Sequence, residues 1–156
     1  MAHRLRPVGP GFAGAAPVRL VFAREIAAPP ERVFRALAED VTGWTGWFGP
    51  VTLARPLAGG TGREIRLRGG ARFLETVLVS EAPEVYAYRA DVTNVPGARA
   101  LAEEWRLVPA GTGTRVCWTM AADGTAPFRL ALRAARPGLA RTFRSAVTSL
   151  DRRLTR

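Results

Sequence analysis

The sequence predicts an α+β fold of about seven strands: one strand, two short helices, six further strands and a long closing helix. Three observations carry this reading. Seven stretches alternate apolar and polar residues, an apolar stripe of helical period follows Pro29-Pro30, and a long amphipathic pattern ends the chain. The 156 residues suit one domain, which at this length buries roughly 70% of the surface the unfolded chain exposes.

Taken in order, Val18 to Ile26 reads as a strand with Leu20, Phe22 and Ile26 on one face. The prolines then start a helix expected over Pro30 to Asp40, with Val33, Phe34 and Leu37 as its apolar stripe. Gly43 to Pro50, aromatic and broken by glycine, reads as a second small helix or turn. Strand patterns follow at Val51 to Arg55, Gly62 to Arg68, Ala71 to Ser80, Val85 to Val92, Leu101 to Val108 and Thr114 to Ala121, separated by Gly-Gly, Ala-Pro and AGTG turn signals. In the closing pattern, at about 100° per residue, Leu132, Leu139, Phe143, Val147, Leu150 and Leu154 share a sector with Phe128. Pro137-Gly138 predicts a kink or a break into two helices.

Composition narrows the function classes. One cysteine, Cys117, excludes a disulfide framework and a cysteine-rich metal site, and the only histidine, His3, lies in a Pro/Gly-rich leader, which disfavours Ser-His-Asp catalysis and multi-histidine metal sites. No metal and no cofactor are expected. The chain carries 23 arginines and no lysine against 13 acids, for a formal charge of +10. The excess is local: residues 18–125 hold 13 Arg and 12 acids, whereas residues 126–156 hold eight Arg and Asp151. No apolar run of about 18 residues exists, and the leader lacks the apolar stretch of a signal peptide. These features predict a cytoplasmic protein with no membrane span and a flexible leader over residues 1–17.

The segments REIAAPPERVFRAL and WTGWFGPV, with FLETVLVSEAPEVYAYRA and EEWRLVPAGTGTRVCWTM further on, resemble the START-like helix-grip superfamily, in particular its polyketide cyclase/dehydrase and lipid-transport (SRPBCC) branch. The resemblance covers about residues 18 to 155 and treats 18–156 as one ligand-binding domain. It implies a curved antiparallel sheet wrapped around the long C-terminal helix, with a cavity between them. Members include carriers, aromatase/cyclases and proteins with no known ligand, so membership alone does not establish catalysis.

Hairpin register indicates which side chains would line such a cavity, because paired residues point to the same face. A four-residue loop at Glu81 to Glu84 sets Val79 opposite Tyr86 and Val77 opposite Tyr88, so that Phe73, Glu75, Val77, Val79, Tyr86, Tyr88, Ala90 and Val92 share the interior face. A loop at Ala110 to Gly113 sets Trp105 opposite Trp118 and Glu103 opposite Met120. A two-residue Gly69-Gly70 turn sets Arg66 opposite Phe73, diagonal to Glu75. The candidate ligand-binding residues are therefore Arg66, Phe73, Glu75, Tyr86, Tyr88, Glu103, Trp105 and Trp118. Two arrangements stay open: a polar patch of Arg66, Glu75 and Glu103 inside an aromatic cavity, or a bulged register that leaves these charges at the solvated rim. Trp44, Trp47 and Phe48 either gate the mouth or pack the helix corner.

Three functions fit. The first is a binding protein for a hydrophobic or polycyclic small molecule, lipid- or polyketide-like. The second is a cyclase or dehydratase acting without metal or cofactor, in which Arg66 or a tyrosine polarises a carbonyl and Glu75 or Glu103 moves a proton. The third is an Arg-rich helix that binds nucleic acid or anionic membrane, although the arginines are spaced as the solvated side of an amphipathic helix and no specific nucleic-acid motif is present. The sequence leaves ligand identity, catalysis and oligomeric state open.

Overall fold

The computed structural model of the chain describes residues 1–156. Its elements are β1 (His3–Arg4), α1 (Phe12–Ala15), β2 (Val18–Ile26), α2 (Pro30–Phe34), β3 (Val51–Pro56), β4 (Gly62–Leu67), β5 (Arg72–Glu81), β6 (Val85–Thr93), β7 (Ala98–Ala110), β8 (Gly113–Gly124), α3 (Ala126–Ala134) and α4 (Arg136–Leu154). The antiparallel sheet has the order β2-β8-β7-β6-β5-β4-β3 and curls into a half-barrel around α4, the helix-grip arrangement expected from the sequence. No helix is long and apolar enough to cross a membrane.

The helix expected over Pro30 to Asp40 forms, with Pro30 in its first turn, but its second half, Arg35–Glu39, widens to a π-helical turn. The Gly43 to Pro50 region contributes a 3-10 turn over Val41–Gly46. Its Trp44 indole N–H donates to the Leu37 carbonyl at 3.0 Å, which takes up an acceptor near the helix end. The closing helix breaks at Ala135, with Pro137 in the first turn of α4, where the sequence places the interruption. Phe143, Ala146, Val147 and Leu150 of α4 are buried against the sheet, and Asp151 accepts from the amides of Ala27 and Ala28, tying the helix end to the β2–α2 connection. By contrast, α3 has no buried residue. The N-terminal part of the helical pair therefore stands off the sheet, while its C-terminal part grips it.

The leader is a correction. Residues 1–17, expected to be flexible, are docked: β6 and β7 pair only over Val85–Arg89 and Ala102–Arg106, and beyond that they separate. β1 pairs with the free end of β6, the Leu5 amide donates to Asp91 and the Arg6 amide to Arg99 across the gap. Leu5 packs with Ala90 and Ala98, and Val8 with Ala100 and Ala102. Unpaired strand edges need hydrogen-bond partners, and the leader supplies them.

Register decides the rest. In β7–β8 the pairs Glu103–Met120, Trp105–Trp118 and Leu107–Val116 form as expected. In β5–β6 the loop is one residue shorter than expected, so Glu81 pairs with Val85. An irregularity between Val77 and Val79 restores the expected pairs Val77–Tyr88 and Glu75–Ala90, and a second between Leu74 and Glu75 shifts the far end. Val79 and Val92 thereby leave the interior face and pair with Ala87 and Leu74. In β4–β5 the turn spans Arg68, Gly69 and Gly70, both glycines with positive φ (95° and 101°), and the Leu67 amide donates to Ala71. Three loop residues in place of two slip the register by one, so Arg63 pairs with Glu75 and Arg66 with Arg72.

Candidate functional site

That slip exchanges two arginines. Arg66, the predicted cavity residue, points to the opposite face, half-exposed, and donates through Nε to Glu64 at 2.9 Å. There Arg55, Arg66 and Arg72 all converge on Glu64. Glu64 itself is fully buried beneath them: burial pushes its pKa up, but the hydrogen bonds from Arg66, Arg55 and Arg72 together outweigh it and hold it at about 2. This is a surface ion cluster that covers the outside of the sheet. Arg63, which sequence reasoning missed, takes the interior place. The alternation within β4 carried the signal: Arg63, Ile65 and Leu67 share a face by period two, and the latter two are apolar.

Arg63 is 2% exposed and donates through Nε to Glu75 Oε1 at 2.6 Å. Its guanidinium carbon lies 4.0 Å from the Tyr88 ring centroid, 4.4 Å from that of Trp44 and 5.7 Å from that of Tyr86. Aromatic faces thus stabilise the cation that Glu75 pairs. Burial disfavours the charged guanidinium, but Glu75 and the two phenols raise its pKa above the ordinary arginine value. Burial likewise pushes the Glu75 carboxyl up, with Arg63 pulling the other way. One polar atom in this cluster, Arg63 Nη1, is buried with no hydrogen-bond partner.

On the neighbouring strands, Tyr88 pairs with Glu103, and Glu103 Oε1 accepts from the Trp118 indole N–H at 2.7 Å. Burial first, then the negative charge of Glu75, raises the Glu103 pKa to about 7, against the opposing pull of Arg63 and the Trp118 and Tyr88 hydrogen bonds. Trp105 donates to the Tyr88 hydroxyl at 3.2 Å, and burial pushes the Tyr88 phenol well above its usual range.

This cluster forms one wall of a partly open cavity of about 360 Å³ bounded by the sheet, the 3-10 turn and the standing-off helices. The rest of the lining is mainly apolar. Phe48, Phe73 and Trp118 come from the body, while Phe128, Leu132 and Leu139 come from the helices. Thr125 positions this roof: its hydroxyl accepts from the Phe128 amide and its own amide donates to Gly97, whose φ of 82° and lack of a side chain admit the start of α3.

Of the predicted residues, Phe73, Glu75, Tyr88, Glu103 and Trp118 line the cavity. Tyr86 and Trp105 are buried behind that lining: Tyr86 packs edge-on against Phe34, and Trp105 stacks on Trp118 at 5.3 Å. Trp44, Trp47 and Phe48 are all buried in the helix corner, and Trp44 and Phe48 also face the cavity.

Comparison with known proteins agrees with this architecture. The family model for polyketide cyclase/dehydrase and lipid transport matches residues 17–155. An uncharacterized protein of Mycobacterium tuberculosis is 31% identical over 150 residues, which cover 93% of this chain and 89% of that protein. A START superfamily protein from Mycobacterium smegmatis superposes with a TM-score of 0.67 at 10% identity, over 88% of this chain and 97% of its own. DynU16, described as a putative protein in the dynemicin biosynthetic locus, superposes with a TM-score of 0.63 at 18% identity, over 88% of this chain and 47% of its own. With a family match across almost the whole chain and a relative above 30% identity, this protein is a member of the polyketide cyclase/dehydrase and lipid-transport family.

Proposed function

We propose that the protein binds a hydrophobic or polycyclic small molecule, lipid- or polyketide-like, in the cavity between the sheet and the α3–α4 pair. The observation that carries this reading is the cavity itself: about 360 Å³, apolar over most of its wall, with polar groups gathered in one cluster. Ligand sites have this size and this division of labour, apolar walls for affinity and a few polar groups for orientation. Family membership supports it. Filling the void provides the test. Leu132→Trp places an indole where the roof faces the cavity, which is expected to leave stability within about 1 kcal/mol because the added volume enters existing space. Mass spectrometry of extracts from freshly purified protein is expected to find a ligand on the wild type and none on this variant. Equal ligand content in both would overturn the proposal.

A specific feature also favours catalysis: Glu103, raised to about 7 by burial and by Glu75, lies in the same wall as Arg63 and Tyr88. A carboxyl that titrates near neutrality can give and take a proton, and a guanidinium can polarise a carbonyl. Cyclase or dehydratase chemistry on a poly-ketone held in the cavity would need these two roles. Under this reading Glu103→Gln lowers turnover of such a substrate by about 100-fold or more while binding persists. Unchanged turnover would remove Glu103 from the chemistry.

A further inference from the structure

The polar wall of the cavity has an imbalance that bears on ligand choice. Two carboxylates, Glu75 and Glu103, share one cation, Arg63. Glu75 holds Arg63 Nε. The rings of Trp44 and Tyr88 lie 4.4 and 4.0 Å from the guanidinium carbon and offer no acceptor lone pair in its plane, which leaves its N–H edge for further bonding. On that edge Nη1 is buried and has no partner, and a buried donor left unbonded is costly. A ligand acceptor would remove that cost.

The charge count then limits what the acceptor can be. With both carboxylates ionised the cluster carries a net negative charge in an apolar wall, whereas a proton on Glu103 makes it neutral. The groups that act on Glu103 are Glu75 from β5, Arg63 from β4, and Tyr88 from β6, with the Trp118 indole donating from β8. From the helices, Phe128, Leu132, Ala135, Leu139 and Thr142 face the cavity, and none of them titrates. A carboxylate ligand would bring a further negative charge to a cation already claimed by Glu75. A neutral acceptor would not, but its lone pairs are repelled by an ionised Glu103 in the same wall, so it binds best when Glu103 is uncharged. We propose that the cavity selects apolar ligands bearing one uncharged acceptor, a ketone or ester carbonyl, which takes Arg63 Nη1 while Glu103 carries a proton, and that it excludes the corresponding carboxylates. The inference rests on the cavity reading above and specifies its ligand class.

Three fluorescent probes of one shape separate the two claims: dimethylaminonaphthalene without a head group, its propionyl ketone, and its carboxylate. The headless probe tests the cavity alone. The ketone is expected to bind at least about tenfold more tightly than either of the others. Its affinity is expected to fall about tenfold between about pH 6 and about pH 8, because Glu103 loses its proton with a pKa of about 7. Glu103→Gln, neutral at every pH, is expected to bind the ketone at the higher pH as the wild type does at the lower. Should that variant fail to fold, the wild-type pH profile decides by itself. If the headless probe binds but the ketone gains nothing over it, the carboxylate matches it, or the ketone's affinity is flat with pH, the ligand class is wrong and the cavity reading stands. If none of the three binds, both fall.

Discussion

Arg63→Met is expected to lower stability by about 3–5 kcal/mol in urea denaturation, the largest loss for any single charged residue in the chain. Both partners are sealed from water, Arg63 at 2% and Glu75 at 5% exposure. Removing the cation leaves Glu75 with neither solvent nor counter-ion, since its strand neighbours on the interior face are Val77 and Phe73. The carboxyl then takes up a proton, so the loss shrinks as pH falls. The sign follows from the partner: Arg63 pulls the Glu75 pKa down and burial pushes it up, so without Arg63 the folded state binds the proton more tightly. The double variant Arg63→Met, Glu75→Leu is expected to recover most of the loss. Its side chains fill similar volume, Met retains contact with Trp44 and Tyr88, and no charge is stranded. A single variant within about 1 kcal/mol of wild type would show that the pair is solvated in solution and that the polar wall is not built as described.

Trp105→Ala is expected to cost about 3–5 kcal/mol, with the denaturant slope unchanged. Trp105 is fully buried and joins three elements: it stacks on Trp118 of β8 at 5.3 Å, meets Trp44 and Trp47 of the helix corner edge-on at 5.7 and 6.2 Å, and lies 6.2 Å from Phe143 of α4. A void at this junction cannot collapse without moving sheet and helix together, which places the cost at the upper part of the range for large-to-small changes. The conservative Trp105→Phe keeps most of the packing and loses the hydrogen bond to Tyr88, for an expected cost of about 1–2 kcal/mol. If alanine cost no more than phenylalanine, the indole packing would not be what joins these elements.

Much of this architecture was legible in the chain. Alternation located the strands from β2 to β8, the Pro29-Pro30 and Pro137-Gly138 pairs marked the start of α2 and the break between α3 and α4, and the β7–β8 register followed from its glycine turn. The candidate site was only partly legible. Five predicted residues line the cavity, whereas Arg66 lies outside and Arg63 stands in its place. Two local signals conflict here: the Gly69-Gly70 pair favours a two-residue turn, whereas the apolar alternation of β4 favours Arg63 inside, and the three-residue turn that forms agrees with the alternation. The docked leader left no periodic signal, because Leu5 and Val8 fill a gap that exists only where β6 and β7 separate.

By itself the sequence determined the order of elements from β2 to α4, the apolar stripe of the closing helix and the family, because side-chain alternation and helical period are local properties written into every few residues. The tertiary structure decided between the two signals for which arginine enters the cavity, and it alone decided which tyrosine touches the cavity and where the leader is held. Those depend on how one strand is set against the next, and register is fixed by loop length and bulges far from the residues it moves. A shift of one residue there turns a buried cation into a surface one.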